Sequence, residues 1–162
     1  MLFRSKLAGE QGVQANTDAH LILRTSWVYA ARGGNFARTM LRLAREREQL
    51  RVVDDQRGAP TWARNIAEAT ACLLSRAGRD RATIATSLRA RAGVFHMSNG
   101  GDTSWYEFAR TIFNLVEDPR RRLTELIPIP ASEYQTAAQR PTNSVLANSA
   151  LREHWGIALP EW

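Results

Sequence analysis

The chain holds a single cysteine, Cys72, and a single lysine, Lys6, among its 162 residues. One thiol cannot close an internal disulfide, so a disulfide scaffold is excluded and a reducing, cytoplasmic setting is the expectation. Ten glycines and six prolines are too few for a collagen-like or low-complexity chain. No uninterrupted apolar run approaches the roughly 20 residues that cross a bilayer, and charge returns at Arg4 and Lys6, too early for a signal peptide. No membrane partner is expected. His20, His96 and His154 lie far apart, without metal-ligand spacing, so no metal site is expected. A glycine-rich dinucleotide loop, a phosphate-binding P-loop, a nucleophile elbow and a zinc-protease helix are all missing from the 162 residues.

What is present suits a globular region spanning residues 1–162, with 44% hydrophobic and 23% charged residues. The 22 basic residues outnumber 16 acidic ones for a net charge of +6, and all the basic residues but Lys6 are arginine. Such a surplus suits nucleic acid, an anionic membrane, a phosphorylated small molecule, or merely a coding bias toward arginine. The densest run, Arg120-Arg121-Arg122, follows Asp118-Pro119 at a helix end, where it complements the helix dipole. The other arginines are dispersed among glutamates rather than drawn into a stripe with stacking aromatics, so nucleic acid is not the expected partner.

Periodicity predicts a helix over residues 5–16, then a short buried strand over 20–24. Asn35 is placed to cap a helix whose apolar face is Phe36, Met40, Leu41, Leu43 and Ala44. A strand over 50–54 follows, and Thr61 is expected to cap a third helix. Residues 76–91 are arginine-rich and weakly patterned, and read as a surface excursion. A strand is expected over 93–97, and Ser104 with Glu107 reads as a capping box for a helix carrying Trp105, Phe108, Ala109, Ile112 and Val116. Alternate prolines keep 126–130 extended, and 148–155 reads as a short helix closed by Gly156. Short strands alternating with amphipathic helices predict an α/β fold.

Ligands of α/β sheets sit at the carboxyl ends of strands. Two polar stretches leave strands in that sense: Arg24-Thr-Ser-Trp-Val-Tyr29 and Asp54-Asp-Gln-Arg-Gly-Ala-Pro-Thr61. Trp27 and Tyr29 suit stacking on a sugar or base, and equally suit local packing. Arg140-Pro-Thr-Asn-Ser144 offers a guanidinium for a phosphate, and is as readily a surface turn.

Seven segments then occur in register: SKLAGE from residue 5, LRTSWVY, GGNF, VVDDQRGAPT, GDTSWYEFA, RPTNS and a terminal GIALPEW. Together they resemble the carboxyl-terminal half of the dTDP-4-dehydrorhamnose reductase family, extended short-chain dehydrogenases/reductases. The resemblance implies a partial NAD(P)-binding Rossmann-like fold, made of the last sheet strands and a substrate-binding lobe. It implies NADPH or NADH as cofactor in the intact family and a dTDP-linked sugar as substrate. It also implies reduction of dTDP-4-dehydro-6-deoxy-L-mannose to dTDP-L-rhamnose for cell-surface polysaccharide. In that family a Tyr-x-x-x-Lys pair acts on the sugar ketone. Lys6 matches the lysine, Leu2 stands where the tyrosine belongs, and Phe3 stands where glycine is common. By the same resemblance Lys6, Arg24, Thr25 and Ser26 lie at the nicotinamide end of the cofactor. Trp27, Asn35, Gln56, Arg140 and Asn143 contact the substrate. Some relatives carry magnesium, for which no carboxylate site is visible here. Without a tyrosine or a glycine-rich cofactor loop, the expectation is a truncated, inactive substrate-binding portion that does not hold the cofactor alone. It would pair with a copy of itself or with a complementary reductase half. The rival expectations are a non-catalytic interaction protein that keeps the reductase fold, and a basic nucleic-acid binder.

Overall fold

A computed structural model of the chain describes residues 2–134 and 140–162, the side chains of Leu2 and Phe3 excepted. The elements run in order: α1 Leu2–Asn16, β1 Leu21–Arg24, β2 Val28–Tyr29, α2 Phe36–Glu46, β3 Gln49–Val53, β4 Arg57–Gly58 and β5 Thr61–Trp62. There follow α3 Ala63–Ala77, α4 Arg81–Ala90, β6 Gly93–His96, β7 Thr103–Ser104, α5 Trp105–Leu115, β8 Glu125–Ile129, a 3-10 turn Ala131–Glu133, and α6 Ser149–Trp155. The chain is α/β, as its alternating pattern predicts.

The four strands legible from sequence pair with one another. β1 runs parallel to β6, with Leu23 opposite Phe95 and Arg24 opposite His96. β3 runs parallel to β8, with Leu50 opposite Leu126 and Val53 opposite Ile129. Parallel neighbours need a crossover, and here helices supply it. Short two-residue pairings tie the loops together: β2 with β5 in parallel and β4 with β7 antiparallel.

Two apolar clusters hold these layers. One joins Met40 and Ala44 of α2, Leu50 and Val52 of β3, and Phe108, Ala109, Ile112 and Phe113 of α5. The spacing in α2 and α5 places these residues on one helix face, and the alternation in β3 turns Leu50 and Val52 to one side. The other cluster joins Ala69, Leu73 and Ala77 of α3 with Phe95, Met97, Leu151, Trp155 and Ile157. Gly156 closes α6 at φ 65°, a left-handed conformation that glycine adopts without a Cβ penalty.

Four local expectations are corrected. Residues 76–91 are not an unpatterned excursion: Asp80 accepts the Thr83 N–H at 2.8 Å, the Asp80 N–H returns to Thr83 Oγ1, and α4 follows. Ile84 and Leu88 of α4 pack on the second cluster. Thr61 does not cap α3; that position is Trp62, without a side-chain bond. Thr61 is instead wholly buried in β5, its hydroxyl donating to the Ala59 carbonyl at 3.1 Å. Ser104 does cap α5, accepting the Glu107 N–H at 3.0 Å, but the Glu107 carboxylate turns to Arg110 rather than back to the cap. The first helix also begins earlier than its periodicity indicates, at Leu2 rather than residue 5.

Candidate active-site cleft

The carboxyl end of β3 organises the cleft. Beyond Val53 the chain turns through Asp54, Asp55 and Gln56 into β4, and each carboxylate is spent on a distant backbone or hydroxyl. Ser104 Oγ–H donates to Asp54, which ties the cap of α5 to the end of β3. Asp55 Oδ1 accepts the Ala131 N–H at 2.8 Å and fixes the 3-10 turn beside it. Arg57 then gathers the RPTNS segment: its N–H donates to the Thr142 carbonyl at 2.7 Å, and its carbonyl accepts the Ser144 N–H at 2.9 Å. Segments far apart in sequence are thereby held on one face.

Between them lies a cleft of about 730 Å³, within the size range of small-molecule sites. Phe36, Thr39, Met40 and Leu43 of α2 form one wall, and Trp105 at the start of α5 adjoins them. Arg51 and Val53 of β3, Asp55 and Gln56 form the floor, and Ser132, Tyr134, Arg140 and Thr142 close the far side. One side is thus apolar and aromatic, the other polar and cationic. Arg51 is neutralised by Glu133. Arg140 is exposed and, among the described residues, has neither a hydrogen-bond nor an ion-pair partner. Among the described residues nothing engages its guanidinium donors.

Of the residues singled out for substrate, Gln56 and Arg140 line this cleft together. Asn35, Asn143 and Trp27 are used to build its surroundings. Asn35 Oδ1 accepts the Arg38 N–H at 3.2 Å as the cap of α2, while its Nδ2 donates to the Ala30 carbonyl at 2.8 Å. Asn143 bridges to Arg57, and its Oδ1 accepts the Val145 N–H at 2.9 Å. Trp27 stacks on Trp105 with ring centroids 3.5 Å apart and planes 8° from parallel. Its Nε1–H donates to Ser144 Oγ at 3.0 Å. The aromatic wall formed by Phe36 and Trp105, and the Arg51 and Tyr134 sides, were not singled out from the sequence. Phe36 and Trp105 read there as ordinary core positions of amphipathic helices. The one available signal was a tryptophan at the first position of a helix whose cap follows a strand.

The residues expected at the cofactor form a second group at the end of β1. Arg24 makes a two-pronged ion pair with Glu10, Nε to Oε1 at 2.8 Å and the second nitrogen to Oε2 at 2.6 Å. Arg24's hydrogen bond holds the Glu10 carboxyl below its ordinary range, and the same contact raises the arginine. Lys6 stands one turn before Glu10 on α1, so the two share a helix face. That face is therefore the one pinned to the end of β1. Next to it Ser26 Oγ is buried without a hydrogen-bond partner among the described residues. Such an orphaned hydroxyl is uncommon and costly unless something completes it. Among the described residues no cluster of three or more histidine, cysteine, aspartate or glutamate side chains is placed to hold a metal. No described helix is long and apolar enough to cross a membrane.

Residues 3–162 match the profile of the RmlD substrate binding domain. The chain belongs to that family. Over 98% of its length it is 49% identical to the dTDP-4-dehydrorhamnose reductase of Burkholderia thailandensis, of which it covers 53%. It is 42% identical to the enzyme of that name from Salmonella typhimurium, again over 98% of this chain and 51% of the relative. A crystal structure of dTDP-4-dehydrorhamnose reductase from Bacillus anthracis in complex with NADP superposes with a TM-score of 0.81 at 36% identity. That match covers 98% of this chain and 50% of the other. The chain thus spans about half the length of the relatives it matches. The partial Rossmann-like α/β fold implied by the seven segments is the fold observed.

Proposed function

We propose that this RmlD substrate-binding domain takes the dTDP-linked sugar of a 4-dehydrorhamnose reductase in the cleft between α2, β3 and Arg140, and does not reduce it unaided. The carrying observation is the meeting of Arg140, Gln56 and an aromatic wall around one cleft of about 730 Å³. A nucleotide diphosphate sugar has three matching parts: an anionic diphosphate, polar hydroxyls and flat or apolar ring faces. Arg140 meets the diphosphate through charge-assisted hydrogen bonds. Gln56 donates to or accepts from sugar hydroxyls, and Trp105 with Phe36 presents an apolar face to a ring. Trp27, stacked on Trp105, is assigned the sugar or its nucleotide, and Asn35 and Asn143 polar groups of the same ligand.

At the end of β1, Lys6 and the run Arg24, Thr25 and Ser26 suit the nicotinamide end of a dinucleotide. The supporting features are the face shared by Lys6 and Glu10, Glu10's pairing with Arg24, and the Ser26 hydroxyl, without a partner among the described residues. NADPH or NADH, when bound, supplies a hydride to the sugar carbon. Among this chain's residues, Lys6 would orient the cofactor's ribose, and Ser26 would accept or donate one hydrogen bond at its edge. The glycine-rich loop that cradles a pyrophosphate is not among these 162 residues, so the fit extends to one end of the cofactor only. Leucine at position 2 carries no proton to give the developing alkoxide, a deficit typically worth roughly 10² to 10⁴ in rate.

Calorimetric titration with dTDP tests the cleft. Saturable binding is expected for the native sequence, weakened roughly tenfold or more in Arg140→Ala, as suits loss of a charge-assisted contact. NADPH oxidation with dTDP-4-dehydro-6-deoxy-L-mannose tests the chemistry. No turnover is expected for the chain alone, nor for Leu2→Tyr, and robust turnover by either overturns the proposed inactivity.

A further inference from the structure

The charged side chains that line the cleft, among the described residues, are Arg51, Asp55 and Arg140. A fourth charge stands at its edge: the Glu133 carboxylate accepts from the Arg51 guanidinium. Two guanidiniums thus meet two carboxylates, and in this arrangement the cleft offers a diphosphate no surplus of positive charge. The two carboxylates are held differently. Asp55 is built in, because its Oδ1 accepts the Ala131 N–H at 2.8 Å and pins the 3-10 turn. Glu133 is fixed only through its backbone, whose N–H donates to the Pro130 carbonyl at 3.0 Å; its side chain is 48% exposed. Arg51 is 58% exposed on β3, where its backbone is set by the register with Ile127 of β8. A pair exposed to this degree contributes little, because water solvates both charges well once they part. Rotation of the Glu133 side chain alone, with strand and turn in place, frees Arg51 to the cleft.

We infer that Arg51 is a second anion-binding residue of the cleft, masked by Glu133 until a diphosphate displaces that carboxylate. This rests on the reading of the cleft given above, in which Arg140 meets the diphosphate, and adds to it a second guanidinium and an acidic competitor. A diphosphate spreads its charge over two phosphorus centres with several acceptor oxygens, more than one guanidinium fork can engage. Exchanging the Glu133 carboxylate for a phosphate leaves Arg51 with a charge-assisted partner throughout. The exchange also removes a negative charge from beside the ligand. Glu133 therefore weakens anion binding, and it does so mainly through its hold on Arg51. An effect that passes through one partner has a thermodynamic signature, namely non-additivity of paired substitutions.

The experiment is a double-mutant cycle in the full chain, with dTDP affinity read by calorimetry and folding checked by thermal unfolding. Glu133→Gln keeps the size of the side chain and removes its charge, and is expected to tighten dTDP binding by roughly three- to tenfold. Damage to the fold does not tighten binding, so a merely structural pair would not give this gain. Arg51→Ala is expected to weaken binding by a similar factor. In the Arg51→Ala background, Glu133→Gln should lose most of its gain. Should Arg51→Ala not fold, Arg51→Gln keeps part of the stem without the charge and must show the same loss. A Glu133→Gln chain that binds dTDP no tighter than the native one overturns the inference, as does an Arg51→Ala chain that binds as tightly as the native one. An undiminished gain without Arg51 overturns it too, since Glu133 would then act on the ligand independently. If dTDP binding falls in Arg140→Ala while Glu133→Gln changes nothing, the reading of the cleft stands and the role of Arg51 falls. If neither the native chain nor Glu133→Gln binds dTDP saturably, the reading of the cleft fails, and the role of Arg51 with it.

Discussion

At the scale of single residues, the site depends on contacts too close to admit alternatives. Gly58 is buried against the Trp27 ring, and the flattened stack on Trp105 leaves that ring nowhere to retreat. Gly58→Ala is therefore expected to destabilise the chain by about 1–3 kcal/mol, the usual cost of overpacking, and to shift the tryptophan emission. Urea unfolding monitored at both far-ultraviolet dichroism and fluorescence measures both effects. Leu73, only 1% exposed at the centre of the α3–α6 cluster, tests the opposite error. Leu73→Ala leaves a cavity and is expected to cost about 2–5 kcal/mol, visible as a lower urea midpoint with an unchanged slope.

At the scale of elements, the cap of α5 does two jobs. Ser104 is 1% exposed, accepts from Glu107 N–H and donates to Asp54. Ser104→Ala removes the cap and strips Asp54 of a donor, for an expected loss of about 1–3 kcal/mol. Ser104→Asp would keep the cap while setting a second carboxylate against Asp54, and is not expected to rescue. Helix α1 is held differently. Its Leu7 and Val13 are 49% and 43% exposed, so their replacement by alanine should change stability by less than about 0.5 kcal/mol. Its anchor is the Glu10–Arg24 pair, which favours the ionised carboxylate. A carboxyl lowered in the folded state adds stability above its ordinary value of 4.5 and loses it as pH falls through the lowered one. Amide protection factors within α1 are therefore expected to decline on acidification before those of α3. Glu10→Gln should remove that difference, and α1 protection that stays flat across the acid range would contradict the anchor.

At the scale of the whole molecule, two apolar clusters with no residue in common are joined by polar stitches. Arg57 gathers the RPTNS segment, Asn148 bonds Ser98, and Asn99 receives Asn65 and donates toward the Glu161 carbonyl. The arginine surplus is largely drawn into this scaffold: Arg45 with Asp118, Arg57 with Asp102, Arg89 with Asp18 and Arg122 with Glu48 are examples. Arg121 donates to the Phe113 carbonyl at the end of α5, in the dipole-complementing place expected of that run. These exposed pairs are screened by salt and individually weak. Arg140 stands apart as a cleft arginine without a partner among the described residues. Raising ionic strength should thus weaken dTDP binding more than it shifts the thermal midpoint, a comparison that calorimetry in two salt concentrations makes directly.

Local sequence pattern by itself determined α2, α3, α5 and α6 and the strands β1, β3 and β6, because apolar spacing dictates which face a segment must bury, and alternate prolines kept the β8 segment extended. Asn35, Ser104 and Gly156 were likewise legible, since capping is local chemistry. The seven ordered segments were enough to carry the family. Helix α4 escaped because its apolar content, Ile84 and Leu88, is thin, and its start depends on an Asp80–Thr83 exchange. The two-residue pairings β2–β5 and β4–β7 escaped because they have no period at all. Only the tertiary structure decided that Gln56 and Arg140 meet in one cleft, through the bonds that Arg57 makes to residues 142–144. It alone decided that Trp27 stacks on Trp105, whose ring lines the cleft. Sequence spacing tells which residues share a face of one element; which faces meet across elements follows from packing.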